Sequence, residues 1–382
     1  MVRVLGIDPG TKSLDLCGLE DGKVYHEKSL ETAEVARNPS LLINAIKEFE
    51  PLDLITGPSG YGVEVTYLSE IPEEVLEEWY YTYILLTTKE NVEKAIRKGF
   101  LGAFIYYAMV QIVKEMKQKD MPVCFIPGVI HLPTVPLHRK INKADMGTAD
   151  KMSVCVLGVY DQSRRFNIPY SEVSFILIEM GFGYNAVMGI DRGRIVDGFG
   201  GTTMLGPGFL TMSYADQEVI QLVGNWEKAD IFTGGCISIS GKEDLEEFIN
   251  YVEKDQNCKL AWDSMLEGIE KAVAAMLVSV PNPREILVSG RLVRISKVYN
   301  ELTKRLAKYA PVRKVGQLEN AKITKETAQG YAIVADGLAN GKFKDLIDWM
   351  KIRRAKGTAI DYIYHPKISI IRKKLVPFKF KT

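Results

Sequence analysis

The segment Gly6-Ile-Asp-Pro-Gly-Thr-Lys-Ser13 carries the residue types that hold a phosphate. An apolar run delivers the carboxylate of Asp8 into a tight turn, where the backbone at Gly10 and the donors of Thr11, Lys12 and Ser13 make an anion-binding concavity. A bare carboxylate repels phosphate, so Asp8 becomes useful there by holding a Mg²⁺ directly or through water. The plain alternative is an Asp-Pro-Gly turn that closes a hairpin. Glu179-Met-Gly-Phe-Gly183 repeats the device, with Glu179 as the acid and Gly181, Phe182 and Gly183 as the turn. An acidic glycine turn on each wall of a cleft suits a nucleoside triphosphate and a metal between them.

A second constellation, Gly147-Thr-Ala-Asp-Lys151, stands at a helix start. A helix N-terminus favours anions, Thr148 is placed to cap it, and Asp150 and Lys151 are expected to project into the cleft. The same residues also read as an ordinary helix start. Upstream, the Pro-rich loop from Pro127 to Lys140 exceeds common connection lengths, and Arg139 or Lys140 there would supply a cation for the substrate. His131 and His138 lack helical metal-ligand spacing, so no zinc site is expected. Gly57-Pro-Ser-Gly-Tyr-Gly62 lacks the lysine of a phosphate loop and either lines an acceptor pocket or makes a simple turn. His26 and His365 read as surface residues.

The elements that must position these groups follow from periodicity. Val2 to Ile7, Asp15 to Leu19 and Lys23 to Tyr25 read as a meander, and Ser40 to Glu50 as a helix capped by Ser40 and stopped by Pro51. Leu52 to Thr56 and Val123 to Ile126 read as strands. Phe104, Ile105, Ala108, Ile112, Val113 and Met116 recur at helical intervals, and Asp150 to Arg165 is again helical. The pattern then restarts: at a constant offset of 171, Ile7, Asp8, Gly10, Gly18, Gly22 and Val24 fall on Ile178, Glu179, Gly181, Gly189, Gly193 and Ile195. A chance match of hairpins is the alternative to a duplication. The second half continues through a Gly-rich loop (Gly198 to Gly208), helices at Lys242 to Glu253, Leu260 to Val280, Ser296 to Tyr309 and Thr324 to Leu338, and a strand at Glu285 to Ser289. Two α/β lobes with mixed sheets are expected, 1–170 and 171–382.

Composition agrees with that size. A chain of 382 residues carries a prior of about two domains. Its 46% hydrophobic and 25% charged residues are those of a globular protein. No apolar run approaches the ~20 residues of a membrane helix, and the N-terminus opens directly into a strand pattern, so a cytoplasmic location and no membrane partner are expected. Five cysteines without paired spacing read as reduced core residues. A net charge of +1 does not favour a nucleic-acid partner, although Lys351 to Thr382 is basic. There Tyr362, Tyr364, Ile368 and Ile370 alternate, which favours an edge strand or a solvated end over an RNA- or membrane-binding tail.

Several of these segments carry a family resemblance. Ile178 to Gly208, with Arg192-Gly-Arg-Ile-Val-Asp-Gly and the following Gly201-Thr-Thr-Met-Leu-Gly-Pro-Gly, resembles the second phosphate segment of acetate and butyrate kinases. Glu285-Ile-Leu-Val-Ser-Gly290 is similar to their adenosine strand and glycine turn, and Glu326-Thr-Ala-Gln-Gly330 to their C-terminal helix start. The whole chain resembles an archaeal family labelled predicted butyrate kinases. The resemblance implies a duplicated ribonuclease H-like fold of the actin-like ATPase superfamily, with ATP and Mg²⁺ as cofactors. It places Asp8, Glu179 and Glu326 at the metal, Gly201 and Thr202 beside the phosphates, and Gly290 at the nucleoside, where Arg291 either narrows the base pocket or reaches a phosphate. Gly147 to Lys151 loosely resembles a type III pantothenate kinase signature, which implies Asp150 as a base for a substrate hydroxyl with Lys151 beside it. Three departures stand out: Asp8 where those acid kinases carry Asn, Arg291 where a second glycine is usual, and no arginine in Gly206 to Ala215.

The leading expectation is therefore an ATP- and Mg²⁺-dependent phosphotransferase for a small carboxylate or hydroxy-acid. Asp150 serves a hydroxyl acceptor; Arg139 and Lys140 orient a carboxylate. The alternatives are a regulatory ATPase whose lobe angle switches for a protein partner, and an RNA-associated protein using the basic tail. The expected partner is a small-molecule substrate, with a homodimer left open.

Overall fold

Strand β1 (Arg3–Pro9) turns Leu5 and Ile7 to one apolar layer and Val4 to another, because successive side chains in a strand point to opposite faces. Gly6 and Asp8 share the Val4 face by the same parity. The computed structural model describes residues 1–369. In it β1 pairs antiparallel with β2 (Ser13–Glu20), which pairs with β3 (Lys23–Glu31). Parallel strands β4 (Leu54–Thr56) and β6 (Val123–Phe125) extend the sheet, and β5 (Thr66–Tyr67) ends it, in the order β3-β2-β1-β4-β6-β5.

The second sheet repeats this plan. Strands β7 (Phe175–Met180), β8 (Asn185–Asp191), β9 (Arg194–Phe199), β10 (Glu285–Ser289) and β11 (Val312–Lys314) run in the order β9-β8-β7-β10-β11. The duplication reaches into the register. Ile7 faces Leu16 as Ile178 faces Val187, and a bulge falls between Gly18 and Leu19 as between Gly189 and Ile190. The hairpin turns agree as well: Asp21 and Gly22 have φ of 47° and 72°, Arg192 and Gly193 49° and 67°. Positive φ at both central residues is the twist that a two-residue hairpin needs.

Three apolar layers hold the sheets. Helices Ser40–Lys47, Glu73–Trp79 and Leu101–Gln118 cover the outer face of the first sheet, and Gln256–Met276 with Ser296–Leu306 the outer face of the second. Between the sheets lie a connecting helix, Ala149–Phe166, and a return helix, Glu326–Leu338. The return helix comes late in the chain yet packs on β1, β2 and β4 of the first sheet, while the connecting helix packs on β7 and β8 of the second. Only glycine permits the approach: a Cβ on Gly6 would lie 2.2 Å from Ala332 N, and one on Gly330 2.1 Å from Ser153 O. Thr56 Oγ1 donates to Tyr331 O at 2.8 Å, fixing the return helix against β4.

Some expectations need correction. Ser40 is the first helical residue rather than the cap, since the chain enters through Pro39, and Thr148 stands at the cap position without bonding the helix backbone. The segment between residues 63 and 100, for which the sequence suggested no element, holds helices Glu73–Trp79 and Lys89–Arg97 with a wide turn at Tyr80–Ile84 between them. From residue 351 to 369 the chain forms turns and a short 3-10 helix, Ile352–Arg354, not an edge strand; Ile370 and the rest of the basic tail lie outside the described residues. All five cysteines are buried and unpaired. No helix among the described residues is long and apolar enough to cross a membrane.

The helix crossing gives a stability prediction. Gly330→Val forces the two central helices apart and is expected to lower the urea-unfolding free energy by about 2–3 kcal/mol. Gly102→Ala, where nothing lies within 4 Å of the added Cβ, should leave it unchanged or raise it by up to about 1 kcal/mol. Equal effects of the two substitutions would contradict the packing argument.

Candidate active site

Strand parity sends Asp8 at the end of β1 and Glu179 near the end of β7 toward the space between the lobes, where both are buried. The two central helices begin at the same place. The connecting helix brings Asp150 and Lys151 in its first turn; the return helix brings Thr327, with Lys325 just ahead of it. Lys325 Nζ lies 2.8 Å from Asp8 Oδ2, which also accepts from Thr327 Oγ1 at 2.6 Å. The same ammonium is 3.6 Å from Asp15 Oδ2, and Asp15 Oδ1 accepts from Ser29 Oγ at 2.6 Å. Opposite, Lys151 Nζ bridges Asp150 Oδ2 at 2.5 Å and Glu179 Oε2 at 2.7 Å. Thr148 donates its hydroxyl to Asp150 Oδ1, which is why it leaves the helix backbone uncapped.

These charges share one field. Burial pushes the Asp8 carboxyl up, with Lys325 opposing and Asp150 and Asp15 adding repulsion. Glu179 is also pushed up by burial, against the pull of Lys151. Asp150 goes the other way, because the Lys151 ammonium and the Thr148 hydroxyl outweigh its burial. For both lysines burial is outweighed by the neighbouring carboxylates, so both are held above their ordinary value. Four carboxylates (Asp8, Asp15, Asp150, Glu179) thus face two ammonium groups (Lys151, Lys325), a shortfall of two positive charges when all are ionised. Among the described residues no three His, Cys, Asp or Glu side chains converge as a metal cage. A divalent cation would balance the two surplus negative charges, with its remaining ligands coming from outside the protein.

The two glycine turns meet across this centre. A Cβ on Gly183 would lie 3.6 Å from Thr11 Oγ1, and Lys12 Nζ stands 4.5 Å from the centre of the Phe182 ring. Gly10 N donates to Asp8 O at 3.0 Å, and a Cβ on Gly10 would fall 2.4 Å from Lys325 Nζ. Ser13 O accepts from Lys325 Nζ at 3.4 Å. Gly181 N donates to Tyr184 O at 2.9 Å, which shapes the second turn. Gly290 adopts φ of 99°, and a Cβ there would lie 2.3 Å from Met180 O and 2.7 Å from Glu179 Oε1, so the β10 glycine abuts the second acid.

Other expected site residues lie further out. Glu326 opens the return helix, but its Oε2 is 3.7 Å from Arg294 Nη2 rather than among the lysine pairs. Arg291 is exposed. Gly201 packs against the Tyr184 ring, and Thr202 donates from N and Oγ1 to Asp145 Oδ2 at 3.1 and 3.2 Å. Arg139 is turned to β9: Nη1 donates to Val196 O at 2.8 Å and Nε lies 3.8 Å from Asp197 Oδ2. Lys140 donates to Leu132 O at 2.8 Å, so neither basic residue of that loop contacts the acidic centre. His131 is buried against Gly128, and burial lowers its imidazole to about 3, which keeps it neutral.

The residues that sequence reasoning missed are Lys325, Thr327, Asp15 and Asp145. Asp15 shares its strand face with Cys17 and Leu19, and that parity would have placed it beside Asp8. Asp145 is buried, its carboxyl raised by burial, and it ties Gly147 N at 3.0 Å to Thr202.

The fold recurs in solved structures. A propionate kinase from Francisella tularensis superposes with a TM-score of 0.58 at 12% identity, covering 87% of this chain and 98% of that one. An acetate kinase from Porphyromonas gingivalis gives 0.54 at 14% identity, covering 88% and 98%. At such identities the likeness shows the fold, which is the two-lobed, duplicated actin-like ATPase architecture. A UPF0285 protein of Methanococcus vannielii is 23% identical over 300 residues, covering 75% of this chain and 82% of that relative. A family model described as Protein of unknown function (DUF1464) matches residues 6–365, and the chain belongs to that family.

Proposed function

We propose that the protein is an ATP- and Mg²⁺-dependent phosphotransferase of the cytoplasm that acts on a small carboxylate or hydroxy-acid, in the manner of a butyrate kinase. The observation that carries this reading is the convergence of Asp8 and Glu179, one from each duplicated hairpin, on the start of the two central helices. The acid kinases whose fold it shares support the class of reaction.

In this reading the turns Gly10–Ser13 and Gly181–Gly183 hold the β- and γ-phosphates through backbone N–H groups and the Thr11, Lys12 and Ser13 donors. Asp8 and Glu179 would hold the Mg²⁺ jointly with phosphate oxygens, with Glu326 reaching it through water. The ion, when bound, neutralises charge on the transferring group. Gly290 and Arg291 face the nucleoside, and Gly201 and Thr202 the phosphate side of the acceptor. Lys151 and Lys325 oppose the effect of burial on these carboxylates and hold them in place. Asp150, already paired with Lys151 and held below its usual range, makes a weak base. That favours an acceptor with no proton to lose, a carboxylate. Rate enhancement would come from positioning and preorganised charge, with lobe closure excluding water.

Two predictions test this. With Mg²⁺ and ATP, ADP formation should rise on adding short-chain acids, and Asp8→Ala should reduce the stimulated rate by about 100-fold or more without lowering the unfolding midpoint. ATP turnover indifferent to every acid and hydroxy-acid would favour the regulatory ATPase instead. The second concerns Lys151. Its ammonium lowers the carboxyl groups of Asp150 and Glu179, so Lys151→Met should raise both and move the acid limb of the kcat/KM profile up by about 1–3 pH units. An unmoved limb would show that neither carboxylate needs to be ionised for turnover.

A further inference from the structure

Two features remain outside the phosphate centre: the Gly57–Gly62 loop, and a strap at residues 224–235 that leaves the second lobe and reaches the first. Both meet at Lys228. Its Nζ lies 4.9 Å from the Tyr61 ring centre and 6.0 Å from that of Tyr106, both on the opposite lobe. Phe232 of the same strap packs edge-on against Tyr106 at 6.3 Å and against Tyr184 at 5.7 Å. Tyr184 directly follows the second glycine turn. The three tyrosines and the lysine are half-buried.

The lysine lacks a counter-charge. Among the described residues no carboxylate comes within ion-pair distance of Lys228; its neighbour Glu227 is taken by Lys94 at 2.6 Å and Lys98 at 2.8 Å. Asp145 attracts it from further off, but that carboxylate is already filled by Gly147 and Thr202. Burial among the rings therefore lowers the ammonium to about 8. Ring faces attract a cation but do not neutralise it. The basic residues first expected to orient a carboxylate, Arg139 and Lys140, are committed to backbone carbonyls elsewhere.

We propose that Lys228 and the rings of Tyr61, Tyr106 and Tyr184 form the acceptor subsite, which takes a small monocarboxylate bearing an apolar chain or ring. The inference rests on the phosphotransferase reading and selects the carboxylate over the hydroxy-acid. Lys228 pairs with the carboxylate while the tyrosine faces cover the apolar part. Asp145, which attracts Lys228 from a distance, bonds Gly147 N, and the chain runs directly from there into Thr148 and Asp150. In the reaction a carboxylate oxygen bonds to the γ-phosphorus as the bridging P–O bond breaks; acyl phosphate and ADP leave, and no proton is removed. The strap is tied to the first lobe at Glu227 by exposed ion pairs to Lys94 and Lys98, which salt screens.

The test is calorimetric titration of the full chain with propionate, butyrate and phenylacetate and their uncharged amides, with and without the non-hydrolysable ATP analogue AMP-PNP and Mg²⁺. At least one acid should bind, its amide should not, and Lys228→Met should weaken the acid by about 10- to 100-fold while leaving AMP-PNP affinity unchanged. Lys228→Arg should retain most of the acid affinity, and Tyr106→Leu should weaken phenylacetate more than propionate. Acid binding indifferent to Lys228→Met would overturn the subsite, as would a wild-type chain that binds AMP-PNP and none of the acids. Failure of AMP-PNP itself to bind would instead remove the phosphotransferase reading, and the acid titrations without nucleotide would still decide the role of Lys228.

Discussion

The close contact of the two central helices with each other and with the first sheet governs the site. Gly6 lets β1 touch the backbone of the return helix, and Gly330 lets that helix touch the connecting helix. With a Cβ at either position, the helices could not sit at this depth between the sheets. Their N-termini would then no longer meet the two acidic turns. The glycines thus act on the chemistry from within the core, where Thr56 and Tyr331 add a hydrogen bond to the same contact. Close packing transmits position over distance because interiors have little slack to absorb a displaced backbone.

What the packing delivers is a set of buried charges that only make sense together. An isolated carboxylate at the depth of Asp8 or Glu179 would simply take up a proton. Each is given a lysine, and each lysine also serves a second acid: Asp15 for Lys325, Asp150 for Lys151. The arrangement keeps negative charge where a metal–phosphate group would need it. It also explains why Asp150 is poorly suited to accept a proton, despite standing where a base was expected.

Much of this was legible in the sequence, and the rest was hidden for identifiable reasons. The repeat at a constant offset could be read because hairpins are local: glycines at bulges and turns, and period-two apolar residues, are written contiguously. It proved to hold down to the register and the bulges. Asp8 and Glu179 occupy the same step of that repeat. Lys325 was not legible, because its role depends on a helix that crosses back to the first sheet, and nothing near residue 325 in sequence shows that return. Arg139 shows the converse: in the sequence a cation in a long loop looks available, while in the fold β9 offers it Val196 O and Asp197. Thr148 had a capping residue's position, but its hydroxyl found a stronger acceptor in Asp150.

The lysine pairs also bear on how the lobes can move. In sequence each lysine belongs to the other half from the hairpin acid that it binds: Lys151 lies before β7 and reaches Glu179, while Lys325 lies far beyond β1 and reaches Asp8. In space the exchange is undone, because the connecting helix packs on the second sheet and the return helix on the first. Each ion pair therefore joins a strand to a helix that rests on the same sheet. Motion between the lobes would run along the contact between the two helices, and neither Lys325–Asp8 nor Lys151–Glu179 would have to break. Breaking a buried pair leaves an uncompensated charge and costs about 3–5 kcal/mol. A cleft that opens between the pairs avoids that cost and keeps its charged walls intact.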